Sequence, residues 1–157
     1  MVDMIIIATD EHARMMAPNM RTAEVLELAA DSGLAPEAAL LREVGRSIRA
    51  WSWIVDGKVA CMFGIVAPSL IDENSYPWFL TTPLVEKHAI AFARRCRLLL
   101  PDLLAHHPRL VGMVDARYTM SIRWLRWLGA VVENPQPWGV AGLPFHRFTI
   151  GAKHAID

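Results

Sequence analysis

Behind a proline at position 36, Leu40, Leu41, Val44 and Ile48 recur at helical spacing, which predicts a helix over residues 36–48. Upstream the pattern is shorter. The apolar run 4–8 predicts a first strand. Thr9-Asp10 predicts a cap for a helix over 11–16, which Pro18-Asn19 breaks. Thr22 predicts the cap of a second helix over 23–30, with Val25, Leu26, Leu28 and Ala29 as its apolar side and Ser32-Gly33 as its stop.

After residue 50 the period changes. Segments 51–55 and 58–66 flank Asp56-Gly57, a pair that supplies the positive backbone angles of a tight hairpin turn. The second arm is apolar on both faces, as a strand covered on both sides should be. A loop over 68–77 and a short strand over 78–81 follow. Thr82-Pro83 opens a helix predicted to reach about residue 100, where Pro101 kinks or ends it. His107-Pro108 closes this region. A strand over 110–115, a helix over 119–128 stopped by Gly129, and strands at 131–132 and 145–150 complete the order, with a Pro/Gly-rich loop between the last two. No repeat, low-complexity tract or linker interrupts it. The expectation is a single domain over 1–157, of α/β class, with a mixed sheet and helices on both faces.

Composition adds little to that picture. At 157 residues the chain can bury a normal core, and six Trp and eight Met supply bulky, adaptable packing. No apolar run approaches the roughly 20 residues of a membrane helix, and the start of the chain lacks a basic n-region. Cys61 and Cys96 lack metal-like spacing and read as reduced thiols. Net charge is zero, but residues 87–126 hold eight bases against Asp102 and Asp115. That excess fits a solvated helix face or a surface for an anion.

The segment Val114-Asp115-Ala116-Arg117-Tyr118-Thr119-Met120-Ser121-Ile122-Arg123-Trp124-Leu125-Arg126-Trp127-Leu128-Gly129-Ala130 resembles the late pattern of the GNAT acetyltransferases, V-x-x-x-N-x-x-A-I-x-L-Y-x-K-L-G-F. The element order is similar to theirs as well. The words V-D-A-R, S-I-R-W-L-R-W-L-G and Gly142-Leu143-Pro144-Phe145-His146-Arg147-Phe148, with Pro77-Trp78-Phe79-Leu80 and the His88 region, resemble a tailed-phage family. That family is named for an internal core protein of short-tailed coliphages and is itself GNAT-like. The resemblance spans roughly residues 5–148. It implies a setting in a phage particle or its assembly, in the host cytoplasm or the virion, with other virion or assembly proteins as partners.

Acetyl transfer to an amine needs a cradle for the pyrophosphate of acetyl-CoA, a base for the ammonium and an acid for the departing thiolate. In the family the cradle is a Gly-rich R/Q-x-x-G-x-G/A loop. Here the junction over residues 79–87 has no glycine, and Pro83 removes an amide donor. Thr81, Thr82 and Lys87 are the candidates left to meet an anion, and serve equally as helix caps and a surface lysine. Leu125 stands where the family has its acidic tyrosine, so Tyr118 is the substitute candidate. Glu86, His88 and Asp115 are candidate bases, and Asp115 serves equally as an anchor for Arg117. His106-His107 lacks a third ligand, so no metal is expected. Arg123, Trp124, Arg126 and Trp127 have the composition of a partner-binding surface, with both tryptophans on a side away from Ile122.

Two readings follow. The first is a virion-associated or assembly protein that uses a degenerate acetyltransferase-like fold as a protein-interaction module, with no cofactor. The alternative is an acetyl-CoA-dependent N-acyltransferase acting on a host protein or a small amine. Nucleic acid is not expected as a partner.

Overall fold

The computed structural model describes residues 1–67 and 71–151. Residues 68–70 of the predicted loop and 152–157 of the predicted domain lie outside the described residues. Strand β1 (Asp3–Ile7) is followed by α1 (Asp10–Met16), a short 3-10 turn (Ala17–Asn19), α2 (Thr22–Asp31) and α3 (Pro36–Arg46). Strands β2 (Arg49–Val55), β3 (Lys58–Val66) and β4 (Asn74–Thr81) come next. Helices α4 (Leu84–Lys87) and α5 (Ala89–His106), strand β5 (Arg109–Asp115), helix α6 (Thr119–Trp127), and strands β6 (Val131–Trp138) and β7 (Leu143–Gly151) complete the order. The strands form one mixed sheet in the order β1-β2-β3-β4-β5-β7-β6. The expected α/β architecture, with helices on both faces, is the one observed.

Local chemistry accounts for most of the boundaries. Thr9 Oγ1 accepts the His12 N–H at 3.1 Å and His12 Nδ1 accepts the Thr9 N–H at 3.3 Å, a reciprocal cap on α1. Asp56 and Gly57 turn the β2–β3 hairpin with φ of 48° and 78°. Gly33, at φ 76°, returns its N–H to the Leu28 carbonyl and ends α2.

Four expectations need correction. Thr22 is the first residue of α2 rather than its cap, and no side chain caps that helix. The helix after Thr82-Pro83 is a single turn, and α5 starts afresh at Ala89 and continues through Pro101. Strand β4 begins at Asn74, inside the predicted loop, and carries Pro77. Strand β6 runs to Trp138 through Pro135 and Pro137, which an edge strand tolerates because half of its N–H groups face no neighbour.

Ala13, Met16, Leu28 and Leu40 from α1–α3 pack on Met62 and Leu80 of the sheet. The opposite face holds two clusters. Trp53, Cys61 and Phe63 meet Phe92 and Leu99 of α5, while Leu110, Val114, Phe148 and Ile150 meet Ile122 and Leu125 of α6. Strand β3 is buried on both faces, as its sequence predicts. Both cysteines are free thiols, Cys61 buried and Cys96 half-buried.

Among the described residues the join between β4 and β5 is the one parallel pairing, and it is short. Only Asn74 with Arg109 and Ser75 with Leu110 are in register. At this apex Ser75 Oγ lies 3.0 Å from His107 Nδ1, with both residues buried. His107 Nε2 is buried without a hydrogen-bond partner among the described residues. Burial, then Arg49 and His106, hold the imidazole below its ordinary value of 6.5. Its folded-state value is therefore the lower one. Its contribution to stability is full above pH 6.5 and is lost as the pH falls through the folded value. Urea melts of the wild type and His107→Asn at pH 7.5 and 5 should show the smaller acid loss in the variant. Parallel losses in both would remove His107 from the account.

Candidate functional site

Beyond Ser75 and Leu110 the two strands part, and their C-terminal halves open a wedge in the sheet. Parting leaves backbone amides that no neighbouring strand can satisfy. Helix α2 supplies acceptors for two of them. Glu24 Oε2 takes the Thr81 N–H at 3.0 Å and the Thr81 hydroxyl at 2.7 Å. Glu27 Oε2 takes the Asp115 N–H at 3.0 Å. Residues three apart share a helix face, so the two carboxyls stand together at the mouth, one on the end of each splayed strand.

Both carboxyls are pushed up to about 7. Burial is the main cause in each case. Hydrogen bonds from Thr81 and Asp115 pull the other way, and Glu24 pushes Glu27 further up. Glu24 is 4% exposed, whereas Glu27 is half-buried and open to the cleft. A carboxylate poised near neutrality beside a cleft is suited to proton transfer.

Several predicted residues converge on this mouth. Thr81 is held by Glu24. Tyr118 is buried, and burial followed by the Glu24 charge pushes its hydroxyl up to about 12. The Arg21 guanidinium lies 5.4 Å from the Tyr118 ring centroid and pairs with Glu86 at 2.8 Å. Asp115 is anchored by Arg117, whose Nη2 reaches Oδ2 at 2.7 Å. Burial raises the Asp115 carboxyl, but the Arg117 contacts outweigh it and the net direction is down.

Other predicted residues stand apart. Thr82 Oγ1 donates to the Ala60 carbonyl and accepts the Leu84 N–H, so its hydroxyl is spent within the fold. Lys87 is exposed at the end of α4. His88 is half-buried between α4 and α5, and no side-chain hydrogen bond from it caps α5. The tryptophans of α6 do not share a free side. Trp124 points inward, 5.0 Å from the Phe79 ring and 5.8 Å from Phe92, while Trp127 is exposed beneath the Arg97 guanidinium at 4.6 Å. Arg123 and Arg126 are exposed. The basic stretch is partly neutralised, with Arg95 paired to Asp3 and Arg117 to Asp115.

A cavity of about 840 Å³ runs from the acidic mouth through the wedge to the underside of α5. Among the residues that line it are Glu24, Glu27, Phe79, Phe92, Trp124 and Leu125. At the other mouth α5 begins with no side-chain cap and no acid in its first turn. Ala89, the first residue of this 18-residue helix, lines the same cavity, so the helix's first amides stand beside it. Pro83 belongs to the separate turn α4, so it removes no donor from this set.

The β6–β7 hairpin closes one side of the acidic mouth. Val140 and Ala141 donate their N–H groups to the carbonyls of Asp31 and Ala30, at the end of α2. Trp138 Nε1 donates to Asp31 Oδ1 at 2.9 Å. Among the described residues no group of three or more His, Cys, Asp and Glu side chains could hold a metal ion, and no helix is long and apolar enough to cross a membrane.

Sequence reasoning missed Glu24 and Glu27. The signal was present: Glu24, Glu27 and Asp31 lie at helical spacing. It was masked by the neighbouring apolar residues, of which Leu26 is in fact exposed.

No family model and no curated protein matches the chain. Solved structures are similar over nearly its whole length. An N-acetyltransferase from Staphylococcus aureus Mu50 superposes with a TM-score of 0.70 at 13% identity, covering 98% of this chain and 100% of its own. The ribosomal-protein-S18-alanine N-acetyltransferase of Escherichia coli gives 0.66 at 11% identity, covering 98% of this chain and 97% of its own. A Salmonella typhimurium protein solved with its cofactor acetyl-CoA gives 0.60 at 18% identity, covering 98% of this chain and 96% of its own. These likenesses establish the GNAT fold for this chain; at such identities they establish the fold alone.

Proposed function

We propose that the chain is an acyl-CoA-dependent N-acyltransferase. The observation that carries this reading is the opening between β4 and β5, with an uncapped helix start at one mouth and two near-neutral carboxyls at the other. The similarity to structures of N-acetyltransferases supports it.

The residues present fit the cofactor. The amides at the start of α5 suit a pyrophosphate, with Lys87 two residues before the first of them. When bound, an acyl-CoA supplies a thioester whose acyl carbon passes to an amine, the C–N bond forming as the C–S bond breaks. Glu27 accepts the proton released from the amine nitrogen. Tyr118, neutral at pH 7, holds a proton on its hydroxyl for the departing sulfur. Glu24 positions Thr81 at the end of β4, and its charge adds to the burial that pushes the Glu27 carboxyl up.

A thermal-shift titration with CoA and acetyl-CoA tests the reading. Ligand at 100 times its dissociation constant adds about 2.7 kcal/mol of stability. No shift with either at millimolar concentration would remove the proposal. The sequence resemblance to the phage family concerns a setting rather than a chemistry. Absence of the protein from purified particles and assembly intermediates would set that part aside.

A further inference from the structure

Helix α5 carries Phe92, Cys96, Leu99 and Leu103 at spacings of four, three and four, an apolar stripe directed at the sheet. Such a stripe normally closes on its partner at crystal-like density. This one does not. No residue of α5 is fully buried, although 18 residues of the chain are spent on it. Arg95 of α5 and Trp53 of β2 both donate to Asp3 Oδ2 of the first strand, at 2.9 and 2.8 Å. The space left beneath it is part of the cavity of about 840 Å³. Facing the stripe are Phe63, Phe79, Trp124 and Leu125, so the deep walls are aromatic and aliphatic. Water is poorly held between such walls.

The chamber is continuous with the wedge and extends along α5 away from its uncapped start, toward the Ser75–Leu110 apex. From Cys96 to Leu103 the helix advances roughly 10 Å. An acetyl group leaves nearly all of that length empty. Resting on the acyltransferase reading, we infer that the chamber receives the hydrocarbon tail of a medium-chain acyl group, so that the preferred donor is an acyl-CoA longer than acetyl-CoA. The donor's polar end stays at the start of α5 and its tail lies along the α5 stripe.

Calorimetric titration of the full chain with CoA, acetyl-CoA, octanoyl-CoA and free octanoate tests this without a turnover assay. Each methylene moved from water to an apolar wall adds about fourfold in affinity. Octanoyl-CoA should therefore bind at least about a hundredfold more tightly than acetyl-CoA. Leu99→Trp fills the chamber and should return octanoyl-CoA to the acetyl-CoA level while sparing CoA; Cys96→Phe does the same should Leu99→Trp fail to fold. Equal affinity for the two acyl-CoAs, with CoA binding intact, would overturn the chamber assignment and leave the acyltransferase reading standing. Unchanged octanoyl-CoA binding in a folded filled variant would also overturn it. Octanoate binding as tightly as octanoyl-CoA would assign the chamber to a free acid and overturn the donor assignment. Failure of CoA and every acyl-CoA to bind would overturn both.

Discussion

Glu27→Gln should lower kcat/KM for amine acylation by about 10²- to 10⁴-fold, the range for loss of a general base, without lowering folding stability at pH 8. The two halves of this expectation come from the same geometry. The Glu27 carboxyl is open to the cleft and engages one backbone donor, the Asp115 N–H. Glutamine keeps an acceptor for that N–H and loses only the ability to take a proton. Burial and the Glu24 charge push the carboxyl up to about 7, against an ordinary value of 4.5. A group whose folded-state value is raised favours folding most when protonated. Its contribution is full below pH 4.5 and is lost as the pH rises through about 7. The substitution removes that loss, so the variant's stability should be flatter with pH. The wild-type rate should instead climb with pH through about 7, as the base ionises. A pH–rate profile beside urea melts at pH 5 and 8 separates the cases. Rates within threefold of wild type would dismiss Glu27 as the base. A rate loss matched by a loss of stability would make its role structural.

Glu24 should answer differently. One of its oxygens takes both Thr81 donors, and the residue is almost wholly buried. Its surroundings suit it to holding the end of β4 and setting the electrostatics of Glu27 rather than to meeting a substrate. The two glutamates thus divide positioning from proton transfer, although their ordinary acidities are the same.

How far this site could be read from the sequence depended on the range of the forces involved. Asp56-Gly57, Gly33 and Gly129 act locally, and each turn or stop stands where its sequence places it. The prolines misled because a proline's cost depends on whether its missing N–H had a partner. Pro135 and Pro137 lie on an edge strand, and Pro77 lies where β4 has already parted from β5. Pro101 leaves the Arg97 carbonyl without its usual donor, and α5 continues past it. At the site, Thr81, Glu86 and Tyr118 were legible from their places in the GNAT-like order. The α2 carboxyls were not, because their partners, Thr81 and Asp115, lie 57 and 88 residues away. Trp124 looked like a surface anchor because helix spacing alone does not say which side of α6 meets Phe79 and Phe92.

The α2 carboxyls also depend on a long-range contact at the other end of their helix, and Gly139→Ala should expose it. Gly139 sits at φ 73°, and a Cβ there would lie 2.5 Å from the Ala30 carbonyl oxygen and 2.7 Å from the Asp31 Cα. Both are backbone atoms of α2 and cannot swing aside. The hairpin tip must therefore lift, which releases the Val140 and Ala141 donors from the last carbonyls of the helix. Backbone strain of about 1–3 kcal/mol and two lost hydrogen bonds of roughly 1 kcal/mol each give an expected destabilisation of about 3–5 kcal/mol. At roughly 2–4 °C per kcal/mol for a chain of this size, Tm should fall by about 6–20 °C. Gly142→Ala is the matched control. It has φ 65° but open space where the Cβ would go, so only the same backbone strain of about 1–3 kcal/mol applies, without the lost hydrogen bonds. Hydrogen exchange should show the Val140 and Ala141 amides losing protection in Gly139→Ala and keeping it in Gly142→Ala. Equal Tm losses in the two variants would mean that the close approach to α2 carries no energy, and that the hairpin does not hold the helix bearing Glu24 and Glu27 in place.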